Sequence, residues 1–146
     1  VLWLVGGGIA LGSGVGTTGL DEWFVGLFDW SSFSTLLLTA ILAVLAISLS
    51  TVISNSATAN LLVPIGVSLA LSGAADLDPV LAGVVIALAC SLAMALPVST
   101  PPNAVAYASG HINTRDLATV GLAVGAIGIV LLLFVAAPIW EATGLL

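Results

Sequence analysis

Two short polar breaks interrupt otherwise apolar stretches of the chain: Ser54-Asn55-Ser56 and, about 45 residues later, Ser99-Thr100-Pro101-Pro102-Asn103. Neither contains a formal charge. Hydroxyl and amide oxygens, with the carbonyls freed where a helix unwinds, are hard neutral ligands able to replace water around Na⁺. A helix that restarts after such a break presents free N–H groups and partial positive charge, which bind a carboxylate without an arginine. The two breaks therefore read as a place where a cation and a small anion stabilise one another, each making the other's binding less costly, reciprocally by linkage. A single Ser or Asn in an apolar helix ordinarily hydrogen-bonds to a neighbouring helix. Two clusters, each flanked by apolar helix, point instead to a site.

Other chemistry finds no purchase. No paired carboxylates, nucleophile with a base, or phosphate-cradling loop falls within an apolar stretch, so no enzyme activity and no cofactor are expected. Cys90 stands alone, which excludes an internal disulfide or thiolate metal site and leaves it as a small apolar helix residue. His111 has no second histidine beside it and reads as a loop residue. One basic residue and a net charge of -6 exclude a nucleic-acid partner, because phosphate binding needs clustered Lys and Arg.

The elements that must position the breaks follow from composition. Only 5% of the 146 residues are charged and 60% are hydrophobic, against about a quarter charged in a soluble domain. An all-α protein of the lipid bilayer is the expectation, with charges confined to gaps. Residues 1–20 are uncharged and read as a transmembrane helix, in which Gly12 and Gly16 have the small-xxx-small spacing of a helix contact. Residues 21–32 mix Trp23, Phe24, Phe28 and Trp30 with Asp21, Glu22 and Asp29, as an interfacial segment does. From Phe33 to Ile53 the stretch is long enough to span, whereas Leu61–Leu71 is short and holds Pro64. A re-entrant hairpin over 33–72, its polar tip near Asn55, accounts for both.

Residues 73–79 form an acidic turn, with Pro79 suited to the first turn of the next helix. Pro97, Pro101 and Pro102 remove backbone donors and stop the apolar run of 80–96 before 104–109 resumes, so 80–109 reads as a broken transmembrane helix. Residues 110–116 are a polar loop that Arg115 assigns to the cytoplasm, and 117–137 form a last transmembrane helix ending near Pro138. The chain opens inside an apolar stretch without Met or a basic leader, as a fragment of a longer protein would.

Both breaks resemble signature loops of the divalent anion:sodium symporters, carriers of dicarboxylates and citrate. Ser54-Asn55-Ser56-Ala57-Thr58 is similar to their Ser-Asn-Thr-Ala-Thr hairpin tip, and Pro97-Val98-Ser99-Thr100-Pro101-Pro102-Asn103-Ala104 to their Pro-x-x-Thr-Pro-Pro-Asn-Ala unwound loop. Gly6-Gly7-Gly8 looks like the helix before the second hairpin. The resemblance implies a C-terminal inverted repeat carrying half of a site, in a homodimer that moves its substrate by an elevator-like shift. It further implies that Ser54, Asn55 and Ser56 contact a substrate carboxylate. Ser50, Asn55 and the backbone at Ile53 and Ser99 would ligate one Na⁺, while Thr100 and Asn103 would shape the loop as further substrate-side candidates. Ser56 stands where the family often has Thr, which keeps the hydroxyl and loses a methyl. The wider superfamily includes arsenite and sodium/proton carriers, and a passive channel or structural membrane subunit is a further alternative.

Overall fold

The computed structural model describes residues 2–27, 30–73 and 76–143. Phe28 and Asp29 of the expected interfacial segment, Ala74 and Ala75 of the acidic turn, Val1, and the last three residues lie outside them. The order is α1 (Leu2–Thr18), α2 (Leu20–Val25), a 3₁₀ turn (Trp30–Ser32), α3 (Thr35–Val52), α4 (Asn55–Leu71), α5 (Pro79–Ser91), α6 (Pro101–Ala108) and α7 (Thr114–Leu131). A π turn (Leu132–Ala136) then leads into α8 (Ala137–Thr143). No strand occurs among the described residues.

Helix α5 lies against both α3 and α4, and this three-helix contact forms the core. Leu38, Leu42, Ala43 and Ala46 of α3 share one face, as 3.6-residue periodicity requires, and meet Leu81, Ala82, Val85, Ile86 and Ala89 of α5 in one buried cluster. Leu62 and Leu69 of α4 complete it. Close approach of α4 and α5 depends on Gly66, where a β-carbon would collide with the Ile86 side chain. Helix starts are capped locally: Ser34 Oγ accepts from the Leu37 N–H at 3.3 Å, and Asp78 Oδ1 from Val80 and Leu81 at 2.8 and 2.9 Å. Pro79 occupies the first turn of α5, where its missing N–H costs nothing.

Large apolar side chains also stand uncovered. Val120, Leu122, Ile127, Val130, Leu131 and Phe134 are all exposed along α7 and its π turn. In water such a face would be a liability, whereas in a bilayer it needs no cover. Among the described residues two helical stretches are long and apolar enough to cross a membrane, Thr35–Val52 with 18 residues and Thr114–Trp140 with 27. The 17 residues of α4 and 13 of α5 are shorter than the roughly 20 a span needs.

Three boundaries differ from the expectation. Helix α5 ends at Ser91, not Leu96, because the chain from Leu92 onward is held by side chains from elsewhere (below). The last helix begins earlier and runs past Pro138 to Thr143. The π turn just before Pro138 supplies an i→i−5 bond from Ala137 N–H to the Leu132 carbonyl, which reorganises the turn that the proline ring would obstruct. The contact expected at Gly16 is not made among the described residues, where a β-carbon would meet nothing within 4 Å.

Candidate functional site

The last turn of α3 carries Ser50 and Thr51, and both reach toward the second break. Ser50 is fully buried; its Oγ lies 2.8 Å from Asn55 Oδ1 and 3.0 Å from the Cys90 carbonyl oxygen. Both partners are acceptors and a hydroxyl has one proton, so Ser50 donates to one of them at a time. Thr51 contributes its carbonyl, one of the terminal acceptors a helix cannot satisfy itself, and Ser99 Oγ donates to it at 2.9 Å. That bond joins positions 48 residues apart and ties one break directly to the other. Ser99 is buried, as such a tether must be.

Between the helices the backbone leaves helical geometry at Ile53 (φ -95, ψ -95) and is extended at Ser54 (φ -163, ψ 153). Ser54 is the N-cap of α4: its Oγ accepts from Ala57 N–H at 3.2 Å and its carbonyl from Thr58 N–H at 3.0 Å. The N–H groups of Asn55 and Ser56 are left without a partner among the described residues. Ser56 is exposed at this helix start, with Asn55 half-buried beside it.

The second break runs from Leu92 to Thr100. Thr100 caps α6, its Oγ1 accepting from Asn103 N–H at 3.4 Å and its carbonyl from Ala104 N–H at 3.1 Å. Pro101 and Pro102 fill the first two helical positions and have no N–H to offer. Asn103 Nδ2 donates to the Met94 carbonyl at 2.8 Å and the Leu96 carbonyl at 3.2 Å, which leaves its Oδ1 as its remaining acceptor. Asn103 thus holds the loop's shape. Pro97 is half-buried within the loop.

The structure brings Ser50, Asn55, Ser99 and the α3 terminus together through hydrogen bonds, and places Ser54 and Thr100 as caps of the restarted helices. Three further features of this region were not read from the sequence. The Cys90 carbonyl carries no side-chain signal. Thr58 is fully buried and its Oγ1 has no partner among the described residues; its spacing of three from Asn55 could have marked it as sharing that helix face. Gly121 packs directly on the unwound loop. A mostly apolar cleft of about 220 Å³ between α3, the loop and α7, lined by Ile47, Leu92, Met94 and Leu122 among others, contains none of Ser54, Asn55, Ser56 or Asn103. His111 is exposed with Nδ1 3.0 Å from the Ser109 carbonyl, and no cluster of His, Cys, Asp or Glu able to hold a metal occurs among the described residues.

The two capped helix restarts fall on the two segments whose sequence motifs carried the resemblance. The family model of the sodium:sulfate symporter transmembrane region matches residues 1–146. The chain belongs to this family. It is the divalent anion:sodium symporter family of the sequence motifs, whose members are multi-pass transporters of the cell membrane and not enzymes.

Similar curated proteins carry concordant names. A sodium-dependent dicarboxylate transporter, SdcS of Staphylococcus saprophyticus, is 36% identical over 138 residues, covering 92% of this chain and 26% of that protein. The Na⁺/citrate cotransporter of Rattus norvegicus is 36% identical over 130 residues, 88% of this chain and 22% of its own length. Solute carrier family 13 member 4 of Homo sapiens is 33% identical over 134 residues, 91% and 21% respectively. The chain thus spans about a fifth to a quarter of the length of these relatives.

Proposed function

We propose that this chain supplies one half of the substrate and sodium site of a carrier that couples Na⁺ to the transport of small di- or tricarboxylate anions. The observation that carries the reading is the Ser50–Asn55 contact beside the Ser99–Thr51 bond, which gathers neutral oxygens from both breaks at the end of α3. That donor set fits a hard monovalent cation. Ser50 and Asn55 would offer side-chain oxygens, and Ile53 and Ser99 backbone carbonyls, none of which carries charge. Ser54, Asn55 and Ser56 would take one substrate carboxylate on the unpartnered N–H groups of α4, with Thr100 and Asn103 fixing the loop opposite.

In this reading α3 and α4 form the re-entrant hairpin of 33–72, α5 and α6 the halves of the broken helix of 80–109, and the whole an inverted repeat whose counterpart lies elsewhere in a homodimeric carrier. The relatives named for dicarboxylate and citrate support the substrate class, and their sodium dependence supports the coupling ion. The test is uptake by the full-length carrier in proteoliposomes. Succinate should accumulate against its gradient when Na⁺ is high outside, and equal uptake without sodium would identify a passive pore instead.

A further inference from the structure

At Gly121 helix α7 meets the backbone of the unwound loop without any intervening side chain. A β-carbon at Gly121 would lie 2.5 Å from both Cα and N of Ala95 and 2.7 Å from the Met94 carbonyl carbon. These are backbone atoms, so no rotamer change relieves the collision; loop and helix must part by nearly an ångström to reach ordinary contact. The neighbouring glycines on the same face differ. At Gly125 the first obstacle is Ile47 Cδ1 at 2.6 Å, and at Gly128 it is the Leu92 side chain, both able to turn aside. On its other side the loop is gripped by Asn103, whose Nδ2 bonds the carbonyls immediately before and after Ala95. Ala95 is thus pinned between an amide clamp and a bare helix backbone, and it is buried. Ser99, four residues on, carries the tether to Thr51.

We infer that Gly121 is a positioning residue for the cation site: the absence of its side chain sets where the loop from Leu92 to Thr100 lies relative to the end of α3. It touches neither ion. Displacing Ala95 moves the Met94 and Leu96 carbonyls, drags Asn103 and Ser99 with them, and opens the distance between loop and α3 on which shared coordination depends. This rests on the sodium reading of Ser50, Asn55 and Ser99.

The experiment measures ²²Na⁺ binding to the purified full-length carrier, alongside sodium-driven succinate uptake, for Gly121→Ala, Gly125→Ala and Asn55→Ala. Gly121→Ala should raise the half-saturating sodium concentration about 10-fold or more while the maximal uptake rate at saturating sodium falls less than about 3-fold; Gly125→Ala should stay within about 2-fold of the parent. An affinity shift shared equally by both glycine variants, or absent from Gly121→Ala, would overturn the inference, since general packing loss does not single out one position. Should Gly121→Ala not fold, the double variant with Ala95→Gly gives the loop backbone freedom to bow aside. That variant must still show weakened sodium binding, and parental affinity in it would also overturn the inference. Loss of sodium binding in Asn55→Ala with parental affinity in Gly121→Ala rejects the positioning role alone, whereas retained binding in Asn55→Ala rejects the sodium site itself.

Discussion

The starts of α4 and α6 look alike in sequence, each a hydroxyl residue followed by a short helix resuming after a break, yet they offer opposite chemistry. At α4 Ser54 satisfies the N–H groups of Ala57 and Thr58, while those of Asn55 and Ser56 remain available. At α6 the first two positions are prolines, and the next two N–H groups are taken by Thr100. One terminus can donate to an anion, and the other can contribute only oxygens. The partial positive charge of a helix start is therefore not enough to make a carboxylate site; whether its donors are free decides the matter. On the proposed reading the anion would sit on the α4 side, while the α6 break would contribute to the cation site and to the loop's shape.

The sharpest way to break this comparison is Asn55→Ala, which removes an oxygen shared by the Ser50 contact and the proposed sodium set. Sodium-driven succinate uptake should fall by about 100-fold or more, since one lost charge-assisted contact is worth about 1.5–3 kcal/mol and both ions depend on it. Ser56→Pro comes next, because it makes α4 resemble α6 by removing an N–H. Its apparent succinate affinity should drop about 10-fold further than in Ser56→Ala, which keeps the N–H; equal losses in the two would show that the backbone donor is idle. Pro101→Ala restores a donor to α6 and relaxes the constraint on Thr100, and uptake should fall about 5- to 10-fold through loss of loop geometry rather than gain a second anion site. Ser99→Ala deletes one neutral hydrogen bond, about 1 kcal/mol, and should raise the half-saturating sodium concentration only about 3- to 5-fold. Smallest for function is Asp78→Ala, which strips the cap of α5 far from either break: thermal stability should drop by about 1 kcal/mol with sodium affinity unchanged.

The positions of the breaks could be read from residue types because prolines and clustered uncharged polar side chains act locally on the backbone. Pro97, Pro101 and Pro102 stop a helix that precedes them, Pro101 and Pro102 being tolerated only in the first turn of the next one, and Ser54 and Thr100 are residue types favoured as helix caps. The unwinding that begins at Leu92 could not be read in the same way. Leu92 to Leu96 is apolar and would continue a helix on propensity alone. It is drawn out by the Asn103 amide, seven to nine residues ahead, and by α7 some twenty-six residues further along. Likewise a glycine is commonplace in membrane helices, so Gly121 becomes conspicuous only once its neighbour is known to be bare backbone. The Ser50–Cys90 contact escapes for a related reason, since any residue at position 90 would present the same carbonyl.

The wide turn over Leu132–Ala136 has a consequence for the outer surface of the last helix. One added residue in a helical turn rotates everything after it by about 100° about the axis. The stripe that Val120, Ile127 and Leu131 present to their surroundings therefore does not run on in phase through Ile139 and Trp140. The end of the rod turns a different side outward from its beginning, and shortening that turn by a single residue would swing the indole of Trp140, which packs against the core, around the circumference.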